Sequence, residues 1–210
     1  MKDYSKQNNE RIVKNTLTLY VRTALVMLVS LFTSRVVLSA LGIEDYGIYN
    51  IVGGVVVMFS VVSGALSASI SRFITFELGR ADMRKLRRIF STSINIQVGI
   101  SLLILILGET VGIWFLNYKM NIPLDRLEAA NWVLQCSLIT FVINLVSVPY
   151  NAVIIAHEKM SAFAYVSILE VILKLLIAYL LYISIWDKLV VYSLLLVLVA
   201  MTIRIVYGVY

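Results

Sequence analysis

The sequence predicts an all-α integral membrane protein with six transmembrane helices and both termini cytoplasmic. Three observations carry that reading. Apolar residues make up 60% of the 210 residues and charged residues 14%, where soluble domains run at about 45–50% and about 25%. Mean hydropathy is +0.92. A soluble globule of this size could not hide so much apolar surface, so the bilayer is the main solvent. Uncharged runs also recur at the roughly 20-residue length that crosses hydrocarbon. No block of alternating polarity with frequent turns points to a β-barrel, which leaves helices to satisfy the backbone in lipid.

The elements follow in order. Residues 1–15 read as a cytoplasmic tail and 16–210 as a six-helix transmembrane lobe. The first span, about 16–41, is apolar apart from Arg22 and Arg35. It is too long for a signal-peptide core and is read as a retained span. The second, about 46–71, holds 26 residues without a charge. A basic cytoplasmic connection, 72–88, separates it from the third, about 89–116. The fourth, about 129–156, runs 28 residues uncharged. The fifth, about 161–186, is apolar apart from Glu170 and Lys174, and the sixth, about 189–210, apart from Arg204.

Alternate connections differ sharply in charge. The tail, 72–88 and the turn at 157–160 hold 11 Lys and Arg, while the other three connections hold 3. The richer side is cytoplasmic by the positive-inside rule. Net charge of +6 follows from this asymmetry. No basic face carries the aromatic or polar readers that nucleic-acid binding needs.

Several function classes fall away. One cysteine, Cys136, and one histidine, His157, exclude a disulfide framework and a multi-histidine or cysteine metal centre. No Walker-type loop, HExxH or GxSxG is present, and no paired carboxylates occupy a polar loop. The chain is read as not an enzyme, with no cofactor and no metal.

Four local features remain. Ala81–Phe90 is amphipathic, with Met83, Leu86 and Phe90 opposite Arg84, Lys85, Arg87 and Arg88. Such a segment lies on the inner leaflet or simply sets topology. Ser60, Gly64 and Ala68 are four apart and form a small-residue face that lets another helix approach. Pro149 removes a hydrogen bond to the Leu145 carbonyl and predicts a kink, with Asn144 and Asn151 on nearly one face around it. The intramembrane charges are the most informative, because each costs at least ~2.5–3.5 kcal/mol at mid-bilayer. Arg22 and Arg35 are thirteen apart and do not share a face. Glu170 and Lys174 are four apart, in the favourable Glu-before-Lys order, and read as a pair or as a cation free to meet an anion. Glu109 reaches toward headgroups, and Arg204 snorkels inward.

Three stretches point to a family. They are Arg35-Val36-Val37-Leu38-Ser39-Ala40-Leu41-Gly42 followed by Tyr46-Gly47-Ile48-Tyr49, then Ser71-Arg72-Phe73 with Gly79-Arg80, then Val148-Pro149-Tyr150-Asn151-Ala152 running on to Ala156-His157-Glu158-Lys159-Met160. In this order the chain resembles the polysaccharide-unit (O-antigen and exopolysaccharide) flippases of the multidrug/oligosaccharidyl-lipid/polysaccharide exporter superfamily. The resemblance covers about the whole chain. Such flippases have two six-helix lobes, and this chain looks like the N-terminal one.

The resemblance implies carriage of an undecaprenyl-diphosphate-linked oligosaccharide from the inner to the outer leaflet of the bacterial inner membrane. It implies Arg22, Arg35 and Lys174 as residues that neutralise the diphosphate, and Glu170 as an ion or proton site. Expected partners are the lipid-linked oligosaccharide, membrane lipids, a C-terminal lobe or a second half-unit, and a glycan polymerase. Two other readings stay open: a cation-coupled drug antiporter of the same superfamily, and a non-transporting scaffold for glycan-assembly enzymes.

Overall fold

The computed structural model describes residues 2–80, 82–157 and 159–209, with the backbone alone for 2–12, 14 and 62. The cationic side chains of the tail, Lys2, Lys6, Arg11 and Lys14, therefore lie outside the described residues. The described chain is all-helical.

The first helical run, Lys2–Val57, is divided at Gly42, whose φ of 83° and ψ of 172° are not helical. We call its halves α1 (2–41) and α2 (43–57). Residues 30–37 and 46–50 line one cavity, so the chain reverses at this glycine. The conformation belongs to a region of backbone space that is essentially reserved for glycine. Then come α3 (Ser60–Gly79), α4 (Met83–Leu107), a π-helical turn (Gly108–Gly112) and α5 (Ile113–Tyr118). A 3₁₀ turn (Leu124–Arg126) leads to α6 (Leu127–Ala156), α7 (Met160–Leu180) and α8 (Lys188–Val209). Taking α2 with α3 and α4 with α5, six helical passes result.

The boundaries differ from the uncharged runs in a consistent direction. The second pass continues to Gly79 and the third starts at Met83, so most of the basic connection 72–88 is helical. Residues 83–90 are the first turns of α4 rather than a separate surface helix; Ala81 lies outside the described residues. The 36 residues of 83–118 measure about 54 Å at ~1.5 Å per residue, well beyond ~30 Å of hydrocarbon. Charges therefore mark where a helix leaves the hydrocarbon, not where it stops. The fifth pass ends at Leu180, short of 186, and the helix already begins at Lys2.

Helix α6 is the hub. It packs against the α1/α2 run, α3, α4, α7 and α8. Its side chains Val133, Leu134, Leu138 and Leu145 are fully enclosed. The π turn sits so close to it that a Cβ on Gly108 would come 2.5 Å from Leu138 Cδ2. The face of α3 that packs is not the small-residue one. Ile70, Ile74 and Glu77 are buried, while Ser60, Gly64 and Ala68 are exposed, with open space around Gly64. Bulk contact with α6 favours the isoleucines, which bury more apolar area than glycine or serine.

One end of the bundle is tied by charge. Arg126, the last residue of the 3₁₀ turn, donates through Nε to Asp45 Oδ1 at 2.8 Å and through Nη2 to Asp45 Oδ2. Its Nη1 donates to Asp187 Oδ2 at 2.6 Å. Asp187 Oδ1 also accepts from the backbone N–H of Leu189 and Val190, starting α8. Lys188 Nζ reaches the Ala40 carbonyl at the end of α1 (3.4 Å). The hydrogen bond to Asp45, opposed by partial burial, holds the Arg126 guanidinium above its ordinary pKa. Three connections remote in sequence thus share one arginine. We call this the clasp, and the opposite end, with Arg80–Arg88, the basic end.

The two arms of the clasp differ in burial: the Asp45 side chain is 10% exposed, whereas that of Asp187 is 36% exposed. Arg126→Ala strands a buried carboxylate and is expected to cost about 3 kcal/mol. Asp187→Asn keeps the helix start and is expected to cost under about 1 kcal/mol. Thermal unfolding of the detergent-solubilised protein measures both.

Candidate functional site

Two polar cavities lie inside the lobe. The larger, of about 380 Å³, lies between α2, α6 and α8 and presents Asn50, Ser60, Ser137, Thr140, Asn144 and Ser193. The smaller, of about 190 Å³, lies between α1, α2, α7 and α8 and presents Ser30, Thr33, Ser34, Tyr46, Lys174 and Tyr192. Tyr49 and Asn50 line both, so the cavities meet at α2. The Tyr49 and Tyr192 rings stand edge to face there, with centroids 5.0 Å apart.

The lining mixes hydroxyl, amide and glycine groups with the apolar side chains of Val37, Val56, Val57, Phe141, Val171 and Leu196, and holds a single charged residue among the described residues. Thr33 Oγ1 and Ser34 Oγ donate to the carbonyls of Val29 and Ser30 on their own helix, at 2.7 and 3.0 Å. Asn50 Nδ2 does the same to Tyr46 at 2.8 Å. These local bonds satisfy the donors without a tertiary partner, and the oxygens keep lone pairs directed at the cavity space. Among the described residues Lys174 is the one charged lining residue, and none of their carboxylates lines either cavity.

The residues singled out by charge divide among separate places. Lys174 Nζ donates to Glu170 Oε1 at 2.6 Å, with both side chains about two-fifths and one-third exposed. Arg35 follows the lining residue Ser34 on α1 but is exposed and has no ionic partner among the described residues. Arg22 lies toward the basic end, its guanidinium 4.3 Å from the Phe163 ring centroid and its Nε buried without a hydrogen bond. Arg204 lies 3.8 Å over the Tyr150 ring, which itself packs on Phe90. Glu109, in the π turn, accepts from Gln135 Nε2 at 3.0 Å. Pro149 is buried on α6, which continues as one helix through it. Asn144 lines the larger cavity; Asn151 does not, and its Oδ1 is buried without a partner.

Arg22, Arg35 and Lys174 therefore do not converge on one point. Lys174 is in the smaller cavity, Arg35 sits beside it on an open face, and Arg22 is stacked on α7 far toward the basic end. The aromatic partners of Arg22 and Arg204 had no signal in the sequence, because a cation over a ring needs neither fixed spacing nor charge complementarity. The lining residues Asn50 and Thr140 were visible only as polar interruptions of apolar runs, whereas Asn144 was marked by its place beside Pro149.

Residues 19–180 match the family model MatE, from within α1 to the end of α7. The chain belongs to the MatE family. MatE proteins are multi-pass membrane transporters of the multidrug/oligosaccharidyl-lipid/polysaccharide exporter superfamily and not enzymes. Comparison with curated proteins and with solved structures found no match.

The Glu170–Lys174 pair gives a direct check on this description. Lys174→Met leaves Glu170 unmatched in an apolar span and is expected to lower the unfolding temperature. Glu170→Gln with Lys174→Met is expected to recover most of the loss, a coupling of about 1 kcal/mol. Additive effects of the two changes would show that the pair does not form.

Proposed function

We propose that this MatE chain forms one lobe of a bacterial inner-membrane flippase. Its cargo is an undecaprenyl-diphosphate-linked oligosaccharide carried from inner to outer leaflet for polysaccharide biosynthesis. The observation that carries this reading is the sign of the cavity charge. Lys174, ion-paired with Glu170, is the one charged residue of the lining among the described residues, and Arg35, next in the chain to the lining residue Ser34, is exposed with no ionic partner among them. A lysine in the lining, once Glu170 is neutralised, favours an anionic cargo, and a diphosphate is strongly anionic. The hydroxyl and amide groups around Asn50, Thr140 and Asn144 suit sugar hydroxyls. A drug antiporter for cationic compounds would place acids where this chain places a lysine.

The positive-inside rule puts the basic end in the cytoplasm and the clasp at the outer face. Under that orientation Lys174 and Arg35 lie in the outer half of the bilayer and Arg22 near the inner edge. Arg22 then meets the diphosphate at loading, and Lys174 and Arg35 draw it outward. Glu170, bonded to Lys174, serves as the ion or proton site: neutralising it frees the lysine for the cargo. A second lobe completes the pathway, and a glycan polymerase receives the product.

The test is complementation of a strain lacking the gene with its whole product. Lys174→Gln and Arg35→Gln are each expected to cut surface polysaccharide by about tenfold or more at unchanged membrane level of the protein. Undiminished polysaccharide in both variants contradicts the reading and favours a scaffold. Loss of dye efflux in place of polysaccharide favours the antiporter.

A further inference from the structure

We propose that the turn between α3 and α4 holds a binding site for the phosphate headgroup of an anionic phospholipid of the leaflet at the basic end. A surface notch of about 690 Å³ lies there, lined by Arg80, Asp82, Met83, Arg84, Lys85 and Arg88. One of its four cations is matched: Lys85 stands 3.7 Å from Asp82, whose other oxygen accepts the Lys85 backbone N–H. Arg84 and Arg88, one helical turn apart on α4, have no acidic partner among the described residues. Four cations against one acid is more than topology needs at one turn, and guanidiniums grip phosphate oxygens with two N–H groups at once.

The neighbouring surface points to a lipid rather than a soluble anion. Phe73, Phe76 and Arg80 share a face of α3, and the Arg80 guanidinium lies 5.2 Å over the Phe76 ring. Phe73 and Phe76 are 60% and 59% exposed, and Met83 is 59% exposed at the notch itself. Because α3 and α4 continue from this turn into apolar passes, the phenyl faces lie in the acyl layer directly beneath the guanidiniums. An acyl chain along Phe73 and Phe76 with its phosphate at Arg80, Arg84 and Arg88 matches both parts. The site is independent of the transported cargo.

The experiment uses the full-length protein in nanodiscs of phosphatidylcholine containing a trace of spin-labelled phosphatidylglycerol or spin-labelled phosphatidylcholine. The motionally restricted fraction of each label gives the preference for the anionic lipid. About a fivefold preference is expected for the unmodified protein, falling to below about twofold in Arg80→Gln/Arg84→Gln/Arg88→Gln. Arg72→Gln/Arg87→Gln removes two exposed cations outside the notch and is expected to leave the preference nearly intact. Phe76→Ala keeps every charge, and so the topology signal, and is expected to weaken the preference about twofold. Equal preference in the unmodified and triply substituted proteins overturns the proposal. So does an equal loss in the Arg72/Arg87 variant, which would mean a diffuse field. Release of the labelled lipid by millimolar inorganic phosphate overturns it in favour of a soluble-anion site.

Discussion

The lobe is organised by the cost of placing charge where there is little water. Every cation that enters the helical bundle must be matched, stacked or left facing a wet space. The structure uses each of these solutions at a different depth. At one end Arg126 is matched twice, by Asp45 and Asp187, and this fixes three connections relative to one another. Within the bundle Lys174 is matched once, by Glu170, four residues away on its own helix. Arg22 and Arg204 are stacked on Phe163 and Tyr150 from neighbouring helices. Arg35 is exposed, with no ionic partner among the described residues. The clasp matters most for the fold, since Gly42 creates an abrupt reversal between α1 and α2 and Asp45 anchors it three residues later.

This arrangement separates structure from transport chemistry. Arg126 and the two stacked arginines have partners from other elements, so moving them disturbs packing. Lys174 depends on a partner within its own helix, and the pair can open without unpacking α7 from α1 or α8. The cavity it lines reaches the larger polar cavity through Tyr49 and Asn50. Lys174 itself lines only the smaller of the two.

Much of the fold was legible in the sequence. Six passes follow from the length of apolar runs, and Arg22 and Arg35 were correctly separated because thirteen residues do not return to one helical face. Glu170 and Lys174 were legible as a pair because their spacing is local. Boundaries were less legible: α3 and α4 run through Arg72 and Arg84–Arg88 because helices protrude past the hydrocarbon, and composition records the membrane edge alone. The small-residue face of α3 is not the one that packs against α6. Ser60, Gly64 and Ala68 permit close approach without demanding it, and Ile70 and Ile74 gain more by packing. The clasp was hidden because Asp45, Arg126 and Asp187 are joined only through tertiary structure, and each looks like an ordinary connection charge.

The central claim is that the cavity at Lys174 attracts anions. In membranes containing the whole gene product, with Cys136→Ala as background, Ser34→Cys places a thiol in the lining of that cavity. Its reaction with an anionic and a cationic methanethiosulfonate reagent is measured, each rate normalised to a free thiol. The account predicts that the anionic reagent reacts several-fold faster and that Lys174→Gln abolishes the difference. A faster cationic reagent, or a ratio that Lys174→Gln leaves unchanged, would contradict it.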